Sequence, residues 1–497
     1  MSGVAVLSID IGSSSVRAGL YDQRAEPVPG TASHRAHRFT NIEGGGSEAD
    51  AESLFDLVVS CIDETAAAAP EGTRVVAAAT CTFLHGLLGV DGQGRAVTSI
   101  LTWADSRSQP QADGLAERLE PEEIRQRTGC PLHPVYYPAK IEWLRAARAD
   151  LFPRVAWWCS IGEYCLRLFT GAVSCSLSIA SATGMLDRGA CRWDRPLLDA
   201  AGLDETLLSP LHDGEPPGGA LLPRFARRWP ALVGARWFAP LGDGACSNVG
   251  CGCDVPGRTA LMIGTTGALR TVRDAGETAS SHVPPGLWAY RLDRSRELVG
   301  GVLGDGGNLY EWMGRTLAVG TDNAAVDAAL LDAVPAGHGL TVLPFLAGER
   351  SPGWSPDLRG AVIGLRLETS SLDILQAGME AVAYRFAAIM RLLRAEIPGP
   401  SVVIGTGGAL RASKAWGQIL ADVLQMPLSC TEVAEASSRG AALLALRALG
   451  YGAISGFPRP AVARVFLPRP GSAAAHEAAM AAQERLRGSL LGDFAGA

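Results

Sequence analysis

A short strand–turn–strand unit occurs twice in this sequence, once near its start and once past its middle. Residues 6–21 run from an apolar segment through a small, hydroxyl-rich turn into a second apolar segment. Residues 259–272 follow the same order. Two short apolar runs joined by a tight turn of Gly, Ser and Thr predict a β-hairpin. A single turn of this kind usually only reverses the chain, but its repetition predicts two similar domains that face each other.

The two turns have the chemistry of a phosphate site. A small turn lets backbone N–H groups approach phosphate oxygens, and the hydroxyls add further donors. Two such loops could hold the β- and γ-phosphates of a nucleotide from opposite sides, and Asp10 at the strand end could organise a magnesium ion through water. The turn residues are Gly12, Ser13, Ser14, Ser15, Gly264, Thr265 and Thr266. The sequence lacks a Gly-x4-Gly-Lys-Ser/Thr motif, so it does not predict a P-loop.

A third glycine-rich turn, at residues 405–409, reads Gly-Thr-Gly-Gly-Ala. It follows a β-branched run and precedes an amphipathic helix predicted at 415–424. The backbone exposed by Gly405, Gly407 and Gly408 could lie flat against an adenine and a ribose. An ordinary strand-to-helix turn explains the same residues equally well.

Strand and helix patterns alternate along the chain. Buried strands are predicted at 4–9 and 74–80, and helices at 140–148 and 415–424. Alternation of this kind indicates an α/β fold. The chain has 497 residues, of which 47% are hydrophobic and 19% are charged, which excludes a disordered chain and allows two or three domains. Its net charge of −7 argues against nucleic acid as a partner.

The sequence predicts a cytoplasmic protein. Residues 1–10 have no basic start, and their short apolar run ends in an acid, so they predict a buried strand rather than a signal peptide. The absence of an apolar stretch of about 18 residues argues against a membrane span. The 11 cysteines are scattered, with Cys251 and Cys253 the only tight pair, and are predicted to be reduced.

Taken in order, these motifs resemble those of the FGGY family of carbohydrate kinases, which belong to the actin/hexokinase/Hsp70 superfamily of ATPases. The resemblance extends over roughly residues 4–450. The matching segments are residues 10–17 (first phosphate motif), 101–107 (substrate contacts), 241–250 (catalytic aspartate), 263–267 (second phosphate motif) and 405–409 (adenosine motif). The resemblance implies an α/β fold of two actin-like ATPase (ribonuclease H-like) domains, at 1–252 and 253–497, that flank a cleft.

The resemblance also implies roles for individual residues. Asp243, which lies between two glycines, is the implied catalytic base, and Asp10 and Asp243 are the implied contacts to Mg²⁺. ATP would be bound by the two phosphate turns, by Arg17, and by the adenosine turn with Ala409. The implied substrate contacts are His85, Trp103, Asp105, Arg107 and Tyr136.

Several of these residues also have an ordinary structural explanation. Asp243 could be a turn residue, and His85 could be a satisfied core histidine. Trp103 could stack on the carbon face of a sugar or simply belong to the core. Asp105 could accept hydrogen bonds from sugar hydroxyls or lie at the surface. Arg107 could form bidentate bonds with a substrate carboxylate or an ordinary salt bridge.

Within the family, several segments are similar to gluconokinases, namely residues 130–140, 178–184, 264–270 and 343–352. This similarity implies phosphate transfer from ATP to D-gluconate, giving 6-phosphogluconate. Departures at Gly304 and Asp305 leave open another FGGY kinase acting on xylulose, ribulose, a polyol or an autoinducer-like sugar. A non-kinase ATPase related to actin or Hsp70 is the third alternative. The resemblance further allows a homodimer, and the two lobes are expected to close on the sugar because transfer to water must be suppressed.

Overall fold

The computed structural model describes residues 3–214, 219–276, 282–317, 319–320, 322–397 and 402–494. Strands and helices alternate along the chain, as the sequence predicts. The strands of the first half are β1 (Val4–Ile11), β2 (Ser15–Asp22), β3 (Ser33–Ala36), β4 (Thr40–Ile42), β5 (Gly46–Ala49), β6 (Arg74–Thr82), β7 (Leu88–Val90), β8 (Ile100–Leu101), β9 (Trp157–Cys159), β10 (Cys175–Ser176), β11 (Leu186–Asp187), β12 (Arg192–Trp193), β13 (Leu211–His212), β14 (Arg236–Trp237) and β15 (Leu241–Gly242).

The second half contributes longer strands and most of the long helices. Its strands are β16 (Arg258–Ile263), β17 (Gly267–Asp274), β18 (Trp288–Asp293), β19 (Arg296–Leu303), β20 (Thr341–Leu343), β21 (Ala361–Ile363), β22 (Val402–Thr406), β23 (Leu428–Thr431) and β24 (Val462–Phe466). The α-helices of the whole chain are α1 (Ala51–Ala67), α2 (Gln109–Arg118), α3 (Pro121–Thr128), α4 (Tyr137–Ala147), α5 (Ile161–Thr170), α6 (Leu177–Ala182), α7 (Arg195–Ala200), α8 (Pro223–Arg228), α9 (Asp243–Gly250), α10 (Gly307–Thr316), α11 (Asn323–Asp332), α12 (Ser371–Glu396), α13 (Gly408–Ala412), α14 (Lys414–Leu424), α15 (Ala436–Ala448) and α16 (Ser472–Phe494).

The first large sheet contains the first predicted hairpin. Its strand order is β14-β6-β1-β2-β3, and β15 also pairs with β6. Strand β1 is antiparallel to β2, with Asp10 opposite Arg17, and parallel to β6. Both predicted strands, at 4–9 and 74–80, are confirmed and extend two residues further at their C-terminal ends.

The second large sheet contains the second hairpin. Its strand order is β18-β19-β17-β16-β22-β23-β24. Strands β16 and β17 are antiparallel, with Ile263 opposite Gly267, and β16 runs parallel to β22 as β1 does to β6. Both sheets therefore have a hairpin whose first strand has a parallel neighbour. This repetition confirms the predicted α/β architecture of two similar units, while the division at residue 252 stays a prediction.

Each large sheet has its own hydrophobic core. Ile9 of β1 and Val58 of α1 are fully buried in the first core, and Leu261 of β16 and Phe386 of α12 are fully buried in the second. Burying side chains of this size contributes about 1.5–3 kcal/mol each. The helices predicted at 140–148 and 415–424 are confirmed as α4 and α14. The apolar face of α14 packs in the second core, whereas that of α4 packs in a separate apolar cluster.

Helices α9 and α15 connect the two halves. Although α15 lies late in the sequence, it contacts α9 and the first-sheet strands β1 and β6. The two helices approach through glycines: a Cβ on Gly250 would lie 1.8 Å from the carbonyl oxygen of Ala436, and one on Gly440 would lie 1.8 Å from that of Cys246. This close contact fixes the position of α9, which begins at Asp243.

Within the described part of the chain, no helix has both the length and the apolarity needed to cross a membrane. The 11 cysteines are free thiols, and all except Cys191 are buried.

Candidate active site

Three adjoining cavities form a cleft lined by loops of both halves. We name each cavity by one residue in its wall: the Trp103 cavity, the Asp10 cavity and the Trp416 cavity. The first two share the residues Asp243, Gly244, Met262 and Arg270, and the last two share Gly264 and Gly408. The Asp10 cavity therefore lies between the other two.

Asp243 lies where the Trp103 and Asp10 cavities meet. It is the first residue of α9, and its Oδ1 accepts a hydrogen bond of 2.6 Å from the N–H of Gly244. Burial raises the pKa of this carboxyl group, while the positive charge of Arg270 and the Gly244 N–H oppose that rise. Gly244 is needed here because a Cβ at this position would lie 2.3 Å from Nη1 of Arg270.

Asp10 lies near the end of β1 and is only 4% exposed. Burial, followed by the negative charge of Asp243, raises its pKa to about 7, while Arg17 opposes this effect. Nη1 of Arg17 lies 3.5 Å from Asp10 Oδ2 and 3.2 Å from Glu435 Oε2. The buried carboxyl group of Asp10 and the half-buried one of Asp243 thus provide the hard oxygen ligands that a divalent cation prefers.

We expect Asp10→Asn to stabilise the metal-free protein above neutral pH. The raised pKa of Asp10 means that its contribution to stability is fully present below pH 3.8 and is lost as the pH rises to about 7. Since each pKa unit corresponds to about 1.4 kcal/mol, the full shift is worth at most about 4 kcal/mol, of which at most about 3 kcal/mol is lost between pH 5 and pH 8. Chemical unfolding in EDTA at these two pH values measures this loss. The loss of stability between these pH values should be larger in the wild type than in the variant, and equal losses would contradict the assignment.

The first predicted phosphate turn is tight but only partly faces the cleft. The Gly12 N–H donates to the Ser15 carbonyl at 2.9 Å, which closes the turn. Ser13 lines the Trp103 cavity, and its Oγ accepts a hydrogen bond of 3.0 Å from Nε1 of Trp103. Gly12, Ser14 and Ser15 do not line any of the three cavities, and Ser15 is buried in β2.

The second phosphate turn faces all three cavities. Gly264 lines the Asp10 and Trp416 cavities, Thr265 lines the Trp416 cavity and Thr266 lines the Trp103 cavity. The turn is closed by the Gly264 N–H, which donates to the Thr266 carbonyl at 3.0 Å. It also meets the start of α10, where the Asn308 N–H donates to the Thr265 carbonyl at 3.1 Å.

The adenosine turn is divided between two cavities. Gly407 lines the Asp10 cavity, Gly408 lines both the Asp10 and Trp416 cavities, and Ala409 lines the Trp416 cavity. Gly407 has φ +100°, and a Cβ there would lie 2.2 Å from the carbonyl oxygen of Ile263, so only glycine fits. Gly405 belongs instead to the interior of β22, where a Cβ would lie 2.9 Å from Sγ of Cys430.

His85 and Trp103 line the Trp103 cavity, as expected of substrate contacts. Nδ1 of His85 donates to the carbonyl of Ala182 at 2.8 Å. Burial and then the charge of Arg350 hold the His85 pKa well below its usual value, so the ring is neutral at physiological pH. Its Nε2 is therefore an acceptor that could receive a hydrogen bond from a hydroxyl.

None of Asp105, Arg107 and Tyr136 lines the three cavities, so their role as substrate contacts stays a prediction. Arg107 donates to Asp105 and, at 2.6 Å, to Glu48, and its guanidinium lies 4.3 Å from the Trp143 ring centroid. The guanidinium of Arg107 is thus already paired with two carboxylates of the protein. The Tyr136 hydroxyl lies 2.8 Å from that of Tyr290, which lines the Trp103 cavity.

Among the residues of the Trp103 cavity that were not predicted from the sequence, four from the second half have aromatic or cationic side chains. Trp288 and Tyr290 of β18 stack on each other with ring centroids 4.1 Å apart. Arg270 lies in strand β17, just after the phosphate turn, and Arg350 follows Glu349 in a loop. An arginine just after a phosphate turn was a signal that could have identified Arg270.

The Trp416 cavity has an aromatic wall. The rings of Tyr310 and Trp416 line it, and their centroids are 5.8 Å apart. Asp327 accepts a hydrogen bond of 3.0 Å from the Lys414 N–H, which fixes the start of α14 beside this wall. Such a surface can stack on a planar base.

Comparison with known proteins identifies both halves. The N-terminal domain of the FGGY family of carbohydrate kinases matches residues 5–250, and the C-terminal domain of that family matches residues 261–449. A gluconokinase from Bacillus subtilis is 28% identical over 461 residues, covering 90% of this chain and 88% of that protein. A xylulose kinase from Streptomyces rubiginosus is 29% identical over 481 residues, covering 93% and 90%.

The solved structures agree on the fold. The crystal structure of gluconate kinase from Lactobacillus acidophilus has a TM-score of 0.90 at 24% identity and covers 98% of each chain. A ligand-bound xylulose kinase from the same organism has a TM-score of 0.91 at 24% identity and covers 99% of this chain and 100% of its own. Together with the two family matches, these comparisons show that the chain belongs to the FGGY family of carbohydrate kinases and is a sugar phosphotransferase.

Proposed function

We propose that this protein transfers the γ-phosphate of ATP to D-gluconate and forms 6-phosphogluconate. We choose a sugar acid as the substrate because of the charged side chains that line the Trp103 cavity. Among the described residues that line it, Arg270 and Arg350 are cationic and Asp243 alone is acidic. Such a wall favours an anionic substrate over a neutral polyol or ketopentose. The similarity to gluconokinases supports the same choice.

Asp243 is proposed as the general base. Phosphorylation of an alcohol requires removal of its proton while the oxygen attacks phosphorus. Asp243 lines both the cavity proposed for the sugar and the cavity proposed for the phosphates, so a hydroxyl beside it would face the transferred group. Arg270 lines both cavities as well, and its guanidinium would stabilise negative charge that develops there.

The Asp10 cavity and the Trp416 cavity are proposed to hold ATP. The turns at Gly264 and Gly407 present backbone to the Asp10 cavity, and Trp416 and Tyr310 offer a face to the adenine. The residues that would hold Mg²⁺ are Asp10 and Asp243. No group of three possible metal ligands occurs among the described residues, which suits an ion that binds through one or two carboxylates, water and phosphate oxygens. When bound, Mg²⁺ neutralises charge on the phosphoryl group.

The first phosphate turn is proposed to reach the nucleotide when the two lobes close. Gly12, Ser14 and Ser15 lie off the three cavity walls, while Ser13 and Arg17 already line them. Closure around the sugar would bring the remaining donors of this turn toward the phosphates and exclude water. A homodimer stays a prediction that the fold does not test.

A coupled assay of ADP release tests the proposed function. D-gluconate, xylulose, ribulose, glycerol and erythritol are compared at saturating Mg·ATP, with Asp243→Asn as the background control. We expect D-gluconate to give a kcat/KM at least about 10-fold above that of any neutral sugar, because the cationic wall gains only from the acid. A preference for xylulose or for a neutral polyol would contradict the choice of gluconate. Release that no sugar stimulates would favour the non-kinase ATPase.

A further inference from the structure

The Trp103 cavity needs a cation that can receive the substrate carboxylate, and four cationic side chains lie in or near it. They are Arg107, Lys140, Arg270 and Arg350. We infer that Arg350 is the residue that recognises the carboxylate and so determines specificity for sugar acids. This inference rests on the proposed function and adds a named residue to it.

Arg350 is a half-buried cation whose charge is not paired. Within the described residues its side chain has no hydrogen bond or ion pair, and its Cζ lies 5.9 Å from the centroid of the Trp103 ring. Removing a guanidinium from bulk water costs free energy when no anion pairs with it. A carboxylate bound in the cavity would offset that cost. A planar guanidinium also suits two parallel hydrogen bonds to a carboxylate.

The adjacent acid does not neutralise Arg350. Glu349 is only 2% exposed, and its two carboxylate oxygens are occupied by Arg385 and Arg487. Its side chain therefore faces the core that α12 and α16 form. The neighbouring Ser351 N–H donates to the Val302 carbonyl of β19 at 3.0 Å. Both neighbours of Arg350 are thus held in place, and this fixes the backbone position from which its guanidinium reaches the cavity.

Two of the other three cations are already bonded within the protein. Arg107 is paired with Asp105 and Glu48 outside the cavity. The ammonium group of Lys140 donates to the carbonyls of His85, Leu101 and Thr102 at 2.6, 3.2 and 2.8 Å. Arg270 is not paired within the described part of the chain, but it also lines the Asp10 cavity, and the charge of Asp243 acts on it there.

Arg350 differs from Arg270 in the cavities that it lines. Asp243 and Arg270 line both the Trp103 and Asp10 cavities, whereas Arg350 lines the Trp103 cavity and not the Asp10 cavity. In gluconate the carboxylate and the terminal hydroxyl are at opposite ends of a six-carbon chain. With the terminal hydroxyl at Asp243, we place the carboxylate at Arg350, which leaves Arg270 at the phosphoryl end.

The positive charge of Arg350 acts on the titratable groups around it. The charge of Arg350 helps to lower the pKa of His85 well below its usual value and that of His133 to about 3, second in each case to burial. Both rings are therefore neutral, and the hydroxyls of Tyr136 and Tyr290 face Arg350 without a charge. Of these groups Arg350 alone is charged, so Arg350 is the one that can bind an anion.

The test compares the wild type with Arg350→Gln and Arg350→Lys. For Arg350→Gln we expect the KM for D-gluconate to rise by about 30–1000-fold, because one partner of a charge-assisted pair is lost. The dissociation constant for Mg·ADP should change less than about threefold, since Arg350 does not line the nucleotide cavities. Arg350→Lys should recover part of the affinity. Arg359→Gln, an exposed arginine nine positions further on that bonds the Pro356 carbonyl, is the matched control and should leave KM unchanged.

The outcomes separate the two proposals. If the wild type phosphorylates D-gluconate and Arg350→Gln leaves its KM unchanged, the inference is wrong and the proposed function stands. The inference is also wrong if Arg350→Gln raises KM equally for D-gluconate and for D-glucitol, the neutral polyol of the same chain length, because Arg350 would then only shape the cavity. If the wild type neither binds nor phosphorylates any sugar acid, both proposals fail together.

Discussion

Asp243→Asn is expected to lower kcat by about 10²–10⁴-fold while the affinity for ATP stays close to that of the wild type. Asparagine has nearly the same shape but cannot accept the proton of the attacking hydroxyl. The Gly244 N–H can still donate to the side-chain oxygen, so α9 should keep its start. Single-turnover kinetics measure the chemical step, and calorimetric titration measures nucleotide binding.

A second aspartate, Asp274, is the control for effects that replacing any aspartate with asparagine would have. Asp274 is an exposed residue at the end of β17, the strand that carries Arg270, and it does not line the three cavities. Asp274→Asn should retain the wild-type kcat. Near-normal turnover by Asp243→Asn would remove Asp243 from the proposed mechanism, whereas loss of ATP binding would point to a role in holding the nucleotide instead.

Gly440→Ala is expected to lower the free energy of unfolding by at least about 2 kcal/mol and to reduce kcat as well. The added Cβ would lie 1.8 Å from the Cys246 carbonyl oxygen and 2.6 Å from its carbonyl carbon. These are backbone atoms of α9, so no flexible side chain can move aside and the two helices must separate. Because α9 begins at Asp243, the shift would also displace the proposed base, and small displacements of reacting groups are costly.

Gly314→Ala is the matched control for this prediction. Gly314 lies inside α10, and a Cβ there would meet nothing within 4 Å. Replacing it should therefore stabilise the protein by about 0.5–1 kcal/mol, since glycine weakens a helix interior. Urea unfolding of both variants measures the two changes. If Gly440→Ala were as stable as the wild type, the close packing of α9 against α15 would not be what fixes the candidate site.

Local sequence patterns predicted the parts of the fold that depend on neighbouring residues. Each hairpin required only two apolar runs and a small turn, so β1 with β2 and β16 with β17 could be recognised from their spacing. The same holds for helix α14, whose apolar face repeats every three to four residues. The packing of α15 against α9 had no local signature, because its cause is a contact between Gly440 and a backbone carbonyl far away in sequence.

The binding residues of the candidate site also depend on contacts between residues that are far apart in sequence. Arg107 has the chemistry to bind a carboxylate, but Glu48, 59 residues earlier, already binds it. Arg350 has the same chemistry, but no acid among the described residues forms an ion pair with it, which becomes visible once the chain is folded. Residue type therefore suggested that some arginine would meet the substrate, and only the three-dimensional arrangement of acids indicates which one.

The most direct measurement of the central proposal is the identity of the product formed from D-gluconate and Mg·ATP. Phosphorus and carbon NMR of the reaction mixture distinguish a phosphate ester from inorganic phosphate and locate the esterified carbon. We expect one phosphomonoester, on the terminal hydroxyl carbon of gluconate, formed in a one-to-one ratio with ADP. Unchanged gluconate in the presence of ADP and inorganic phosphate would contradict it.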